Sequence, residues 1–180
     1  NYSRIIQFLR ESYVKYYFKK AANEKKIGNQ NNKKIVEPGI NYKQLYDPST
    51  PVWQEAWKVT ESIIKVMNDD IINKKKNFVV VTLSNSLQVH PDILYREMMK
   101  EKFGINDLFY PDKRIKKLGD DEGFLVINLA ERMQKYAEQT NSFLHGFDNT
   151  ILGEGHWNEQ GHKIASEIIS EKICQHPMFF

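Results

Sequence analysis

Cysteine is almost absent from this chain, and long apolar runs are absent altogether. Cys174 is the one cysteine, so the chain cannot form an internal disulfide. It falls on an apolar helix face, where we expect a buried structural thiol. No run approaches the roughly 18 consecutive apolar residues of a membrane-spanning helix. The sequence therefore predicts no membrane span in this chain.

The chain also lacks a large excess of positive or negative residues, because the net charge is only +3. Lysines cluster at 19–26, 33–34 and 74–76, beside predicted helix ends and loops. Solvated surfaces and helix C-termini are common places for such cations. No lysine run alternates with stacking aromatic residues, as a nucleic-acid groove would require. We therefore predict no nucleic-acid partner.

The chain of 180 residues is long enough for one domain with a sizeable core. Residues 2–20 have apolar side chains at helical spacing. Residues 21–50 are rich in asparagine and lysine, which predicts a loop or linker. We divide the chain into an N-terminal helix and polar linker, residues 1–42, and an α/β domain, residues 43–180.

Two short apolar runs, "NFVVVTL" at 77–83 and "GFLVINL" at 123–129, predict the strands of this domain. Their length and β-branched residues are typical of parallel strands buried on both faces. Helices are predicted around them, at about 51–72, 91–102, 111–118, 130–139 and 158–174. This order predicts an α/β fold with right-handed crossovers. Two strands are fewer than the average of about five per sheet, so either strands are hidden in weak segments or part of a larger domain is absent.

The segment "GEGHWNEQGH", residues 153–162, carries the strongest chemical signal. His156 lies in a glycine-flanked loop just before Asn158, the predicted N-cap of the last helix. In open α/β sheets, ligands bind beyond the carboxyl ends of the strands. An imidazole held there can take a proton from a hydroxyl nucleophile and return it to a leaving group. Such a base needs a carboxylate partner, and Glu154 and Asp148 are the nearby acids; the alternative is a loop histidine with a satisfied hydrogen bond.

The longer segment "GEGHWNEQGHKIASEII" resembles the last conserved block of SGNH hydrolases, the GDSL-type esterases and acyltransferases. "PVWQEAWKVTESIIKVMNDDI", "NFVVVTLSNSLQVHPD" and "FLHGF" look similar to the later half of bacterial members. The resemblance covers roughly residues 43–174. It implies a three-layer α/β/α sandwich with a parallel, flavodoxin-like sheet, incomplete at its N-terminus. It also implies serine-esterase or acyltransferase chemistry on the O-acyl ester of a small molecule, carbohydrate or lipid, with no cofactor.

By this resemblance His156 is the catalytic base and Glu154 is its carboxylate partner. The family usually has an aspartate three residues before the histidine, where Gly153 stands here; Asp148 is the reserve acid. His162 is expected to be structural. The resemblance also suggests an extracytoplasmic or membrane-anchored location.

The family's Gly-Asp-Ser nucleophile block does not occur in the chain, nor do the blocks that build the oxyanion hole. The "GDD" at 119–121 has no serine and is predicted to lie in a helix-to-strand turn, and "GINDLF" at 104–109 is interpreted as a loop. We therefore expect the C-terminal part of a longer hydrolase, inactive alone, whose nucleophile precedes Asn1. Ser84 and Ser86 follow the first strand, but "TLSNSLQ" lacks the glycines of a nucleophile elbow. They are interpreted as residues that line the pocket or satisfy backbone groups of the loop.

Two other functions remain open from the sequence. His145, Glu154, His156 and His162 are possible metal ligands, although the i, i+4 histidine spacing of a zincin motif is missing. The chain is also compatible with a non-catalytic α/β domain that binds carbohydrate or protein in its cleft. A Gly-Asp-Ser block upstream in the gene would favour the hydrolase over this binding domain.

Overall fold

The computed structural model describes residues 46–147 and 150–179, which belong to one compact unit, Ile40–Phe180. The helix and most of the linker predicted in residues 1–45 lie outside these ranges. The described helices, in chain order, are α1 Pro51–Asn73, α2 Ile93–Phe103, α3 Tyr110–Glu122, α4 Ala130–Thr140 and α5 Glu159–Gln175. Strand β1, Val79–Thr82, precedes α2, and strand β2, Leu125–Asn128, precedes α4; a 3-10 turn, Pro177–Phe179, follows α5.

The two strands pair in parallel, as the sequence predicts, with Val79 opposite Leu125 and Thr82 opposite Asn128. Over the described ranges this gives a mixed α/β fold with five α-helices and a small two-stranded parallel sheet. The prediction that both strands are buried on both faces is confirmed for β2, where Val126 and Ile127 are buried on opposite faces. It is wrong for β1, because all four residues of β1 are only half-buried. Among the described residues, each strand has a neighbour on one side only.

Helices pack against both faces of the sheet, and alternate strand residues point to each face. On one face Val79, Val81 and Ile127 contact the main core cluster, which is formed largely by α4 and α5. On the other face Val80 and Val126 pack with side chains of α1 and α3. Gly119 lies in α3, packed against β2, so "GDD" belongs to a helix and not to the predicted turn.

Helix α1 begins where the sequence predicts, with Thr50 as N-cap and Pro51 in the first turn. Its contact with α3 includes Trp57, whose ring meets Tyr110 edge-on at 6.1 Å between centroids. The Arg114 guanidinium stacks 4.9 Å from the centre of the Trp57 ring and pairs with Glu61. Helical spacing also predicts one buried stripe on α1 that includes Trp57, Ile63 and Met67. This prediction is only partly correct, because Ile63 is 56% exposed and Met67 is 51% exposed.

These two side chains belong to a second apolar face of α1, which we call the outer face of α1. It is formed by five exposed side chains: Val52, Val59, Ile63, Val66 and Met67. Helix α1 is therefore apolar on two sides, and only the side that carries Trp57 packs against described residues of the domain.

Helix α2 has a capping residue at each end. Asp92 caps α2 by accepting from the Leu94 and Tyr95 amides, and Gly104 ends it in a left-handed conformation. "GINDLF" is therefore a helix end and loop, as predicted. One expectation is wrong: Cys174 is exposed, because the inward face of α5 consists of other residues. Tyr46 belongs to the asparagine- and lysine-rich residues 21–50 but lies on the domain side of the division at residue 43. It is only 2% exposed and packs with Leu87, Ile105 and Leu108.

Candidate functional site

His156 lies in a loop that a short antiparallel pairing holds in place. We call residues 153–158 the His156 loop and residues 144–146 the template segment. Three backbone N–H groups donate across the pair: Gly153 to the His145 carbonyl at 2.9 Å, Gly146 to the His156 carbonyl at 3.0 Å, and Asn158 to the Leu144 carbonyl at 3.1 Å. The backbone is thus fixed on both sides of His156.

The start of α5 is tied to the same template. The Asn158 side chain accepts from the Gly161 amide at 2.9 Å and donates to the Phe143 carbonyl at 2.8 Å. Gly161 lies so close to the template that a Cβ atom there would stand 2.3 Å from the Leu144 carbonyl oxygen. Asn158 and Gly161 therefore have a structural role, because they join the last helix to the loop that carries His156.

Two glycines shape the His156 loop itself. Gly153 has φ of +82° and Gly155 has φ of +78°, and both values favour glycine. A Cβ atom at Gly153 would also lie 2.9 Å from the Phe143 ring. An aspartate three residues before the histidine, as the family has it, does not fit this backbone. The available carboxylate in the loop is that of Glu154.

His156 and Glu154 are both exposed and line one open groove, with a volume of about 410 Å³. Phe147, Thr150 and Ile151 also line it. Among the described residues, no hydrogen bond joins Glu154 to His156. Asp148, the reserve acid, lies outside the described residues. The structure therefore brings the predicted base and acid to the same groove without showing them as a hydrogen-bonded pair.

Trp157 connects the His156 loop to the sheet. Its indole Nε1–H donates to Ser84 Oγ at 3.0 Å, and Ser84 follows the carboxyl end of β1. The Ser84 hydroxyl in turn donates to Met133 Sδ at 3.4 Å. Because Ser84 is only 7% exposed and its hydroxyl is engaged, the contacts favour a packing role for it over that of a nucleophile. Ser86 is half-buried in the following turn.

The other two histidines of the motif region have different surroundings. His162 is exposed and meets the Trp157 ring edge-on at 5.5 Å, which fits the expected structural role. His145 is only 4% exposed, and its Nδ1 lies 2.8 Å from the Gly155 carbonyl oxygen. Its Nε2 is buried and has no hydrogen-bond partner among the described residues. Burial lowers the pKa of His145; the hydrogen bond to Gly155 partly opposes this, and the nearby His156 adds to the lowering.

A second buried polar group lies where the two strands end. The Asp112 carboxylate, at the start of α3, accepts from Thr82 Oγ1 at 2.6 Å and from Gln88 Nε2 at 2.7 Å. Asn128 donates to the Asp112 backbone carbonyl at 3.1 Å. Burial raises the pKa of Asp112, and the two hydrogen bonds only partly oppose this. The sequence does not predict this group, because an aspartate after Pro111 is an ordinary residue for the first turn of a helix.

Metal binding has no further support from the geometry. Within residues 46–147 and 150–179, no group of three or more His, Cys, Asp or Glu side chains is placed to hold a metal ion. The four candidate ligands do not form such a group. In the same ranges, no helix is both long enough and apolar enough to cross a membrane.

Comparisons with protein-family models, curated protein sequences and solved structures found no significant match.

Proposed function

We propose that this chain is the C-terminal part of an SGNH-type serine esterase or acyltransferase that acts on O-acyl esters, with His156 as general base. The proposed fold of the complete domain is a three-layer α/β/α sandwich, and the described two-stranded sheet is one portion of its sheet. Helices on both faces of a parallel sheet agree with this architecture. The observation that carries the proposal is the bond from Trp157 to Ser84, because it holds the His156 loop at the carboxyl edge of the sheet.

In the proposed reaction, a serine from the preceding part of the hydrolase attacks the acyl carbon. His156 takes the hydroxyl proton as the bond between the serine Oγ and the acyl carbon forms, and returns it to the alcohol oxygen as the ester bond breaks. Water, or an acceptor alcohol in a transferase, then attacks the acyl-serine. His156 takes the proton of the attacking hydroxyl and returns it to the serine oxygen as the acyl group leaves. Backbone amides of the preceding part would stabilise the oxyanion. Glu154 would orient the imidazole after a rotation of its exposed side chain.

The surface of the domain supports the view that a further portion of protein packs against it. Within the described ranges β1 and β2 pair only with each other, which leaves one edge of each strand open. The outer face of α1 is a row of exposed apolar side chains. A neighbouring strand and helix would cover both features.

The test is hydrolysis of p-nitrophenyl acetate by the 180-residue chain and by the full-length product of its gene. His156→Ala removes the proposed base, and His162→Ala is the matched control, because it removes an exposed histidine from the same segment. We expect activity only in the full-length protein, lost in His156→Ala and retained in His162→Ala. Activity in neither protein would favour the non-catalytic binding domain. Activity in the short chain that depends on His156 would mean that a nucleophile lies within these 180 residues.

A further inference from the structure

We propose that His145 is a positioning residue for His156, and that it acts by holding the carbonyl of Gly155 with its Nδ1–H. The inference rests on the proposed function for its catalytic meaning, but its structural part stands on contacts of this chain alone. No motif of the sequence assigns this role, and the sequence offers His145 only as a possible metal ligand.

The His156 loop needs such a contact because of its glycines. Gly153 and Gly155 both have left-handed backbone angles, and glycine is the residue with the greatest backbone freedom. The three backbone hydrogen bonds of the template segment hold Gly153, His156 and Asn158. The peptide between Gly155 and His156 has its carbonyl outside this ladder. Nδ1 of His145, at 2.8 Å, is the group that holds it.

The direction of this hydrogen bond follows from the chemistry of its two atoms. A carbonyl oxygen only accepts, so Nδ1 of His145 carries the proton and donates. In the neutral ring Nε2 is then an unprotonated acceptor, and it is buried without a partner among the described residues. A second proton on Nε2 would place an unpaired charge in an enclosed site beside His156. The surroundings therefore hold His145 as the neutral Nδ1–H tautomer.

The hydrogen bond from His145 affects the orientation of His156 because it acts on the adjacent peptide. The Gly155 carbonyl belongs to the peptide whose nitrogen is that of His156. Fixing this peptide plane limits the backbone rotation that aims the His156 imidazole across the groove. His156 is exposed and makes no side-chain hydrogen bond to any described residue, so its direction depends on the backbone that carries it. His145 thus acts through Gly155 and need not touch substrate.

Three substitutions separate this role from simple core filling. His145→Asn places an amide N–H near the position of Nδ1, whereas His145→Gln carries its amide farther out, near Nε2, and His145→Leu donates nothing. In the 180-residue chain we would record the amide resonances of residues 153–158 and the ring resonances of His156. We expect the Gly155 and His156 resonances to stay close to wild type in His145→Asn, and to be displaced further in His145→Gln and His145→Leu.

Two results would overturn the proposal. One is a His145→Leu chain with wild-type resonances at Gly155 and His156. The other is a set of equal displacements in His145→Asn and His145→Gln, since ring shape and not the Nδ1 donor would then matter. If His145→Leu does not fold, the comparison of the two amides still decides, because both are polar and of similar size.

Activity of the full-length protein gives the second readout. We expect kcat for p-nitrophenyl acetate to fall about tenfold to a hundredfold in His145→Gln and His145→Leu, with KM little changed, as a misplaced catalytic group predicts. His145→Asn should keep most of the activity. A full-length wild-type protein without activity would count against the proposed function alone, because the resonance comparison needs no catalysis.

Discussion

The indole Nε1–H of Trp157 donates to the hydroxyl of Ser84 at 3.0 Å, across 73 residues of sequence. This side-chain hydrogen bond joins the His156 loop to the residues that follow β1. Trp157 also packs against the core cluster of α4 and α5. Ser84 therefore anchors the loop in a definite place at the sheet edge.

The strength of this anchor can be measured with Trp157→Phe and Ser84→Ala. Each change removes one partner of a partly buried hydrogen bond, so we expect each to lower the free energy of unfolding by about 1–3 kcal/mol. The double variant should cost less than the sum of the two, because both remove the same bond. Urea unfolding of the four proteins gives the coupling energy. Additive costs would show that the two side chains act independently, and that the 3.0 Å contact contributes little.

The helix after the loop depends on the close approach of Gly161 to Leu144. Gly161→Ala would place a methyl group 2.3 Å from the Leu144 carbonyl oxygen, so α5 must move away from the template segment. We expect a loss of about 1–3 kcal/mol from this overpacking, although alanine is the better helix former by roughly 1 kcal/mol. Lys163→Ala, an exposed change on the same helix, should have almost no effect. A Gly161→Ala protein as stable as Lys163→Ala would show that the approach is looser than described.

Much of the fold follows from local sequence signals. Thr50 with Pro51, Gly104 and Asn158 mark helix ends that the structure also has. β-branched runs mark both strands, although not the partial exposure of β1. These features depend on neighbours along the chain, so a reading of the sequence can find them.

Features that depend on distant neighbours could not be predicted in this way. Ile63 and Trp57 both look like core residues, and only the position of α3 decides that Trp57 is buried and Ile63 is exposed. The buried state of Asp112 depends on Thr82 and Gln88, which are 30 and 24 residues away. The motif singled out His156 and Glu154, but the hydrogen bond from His145 to Gly155 appears only when the two segments pair.

The buried carboxylate of Asp112 predicts a specific dependence of stability on pH. Burial raises its pKa above 3.8, so the folded protein keeps a proton that the unfolded chain has already released. The contribution of this group is fully present below the unfolded pKa and is lost as the pH rises through the folded pKa. Asp112→Asn should remove this part of the pH dependence. Urea unfolding from about pH 3 to pH 7 measures it, and equal slopes in both proteins would contradict the shift.

Thr82→Val tests the hydrogen bond to the same carboxylate. At about pH 7 we expect a loss of roughly 1.5–3 kcal/mol, because a hydrogen bond to a charged group is removed. The loss should shrink at lower pH, where Asp112 is protonated. Thr60→Val is the matched control, since the exposed Thr60 hydroxyl donates to the Ala56 carbonyl of its own helix and, among the described residues, makes no bond to a carboxylate. A penalty for Thr82→Val that stays the same at every pH would show that the Asp112 charge is not involved.

The apolar side chains on the outer face of α1 should contribute little to the stability of the chain itself, because they are exposed. Ile63 is 56% exposed, so Ile63→Ser should change the free energy of unfolding by no more than about 0.5 kcal/mol. Trp57→Ala, on the opposite side of the helix, should cost about 3–5 kcal/mol, since it empties the contact with Tyr110 and Arg114. In the full-length protein the proposal requires Ile63→Ser to become costly, because a neighbouring portion would then cover that face. An equally small effect of Ile63→Ser in both proteins, measured by urea unfolding, would show that nothing packs on the outer face of α1.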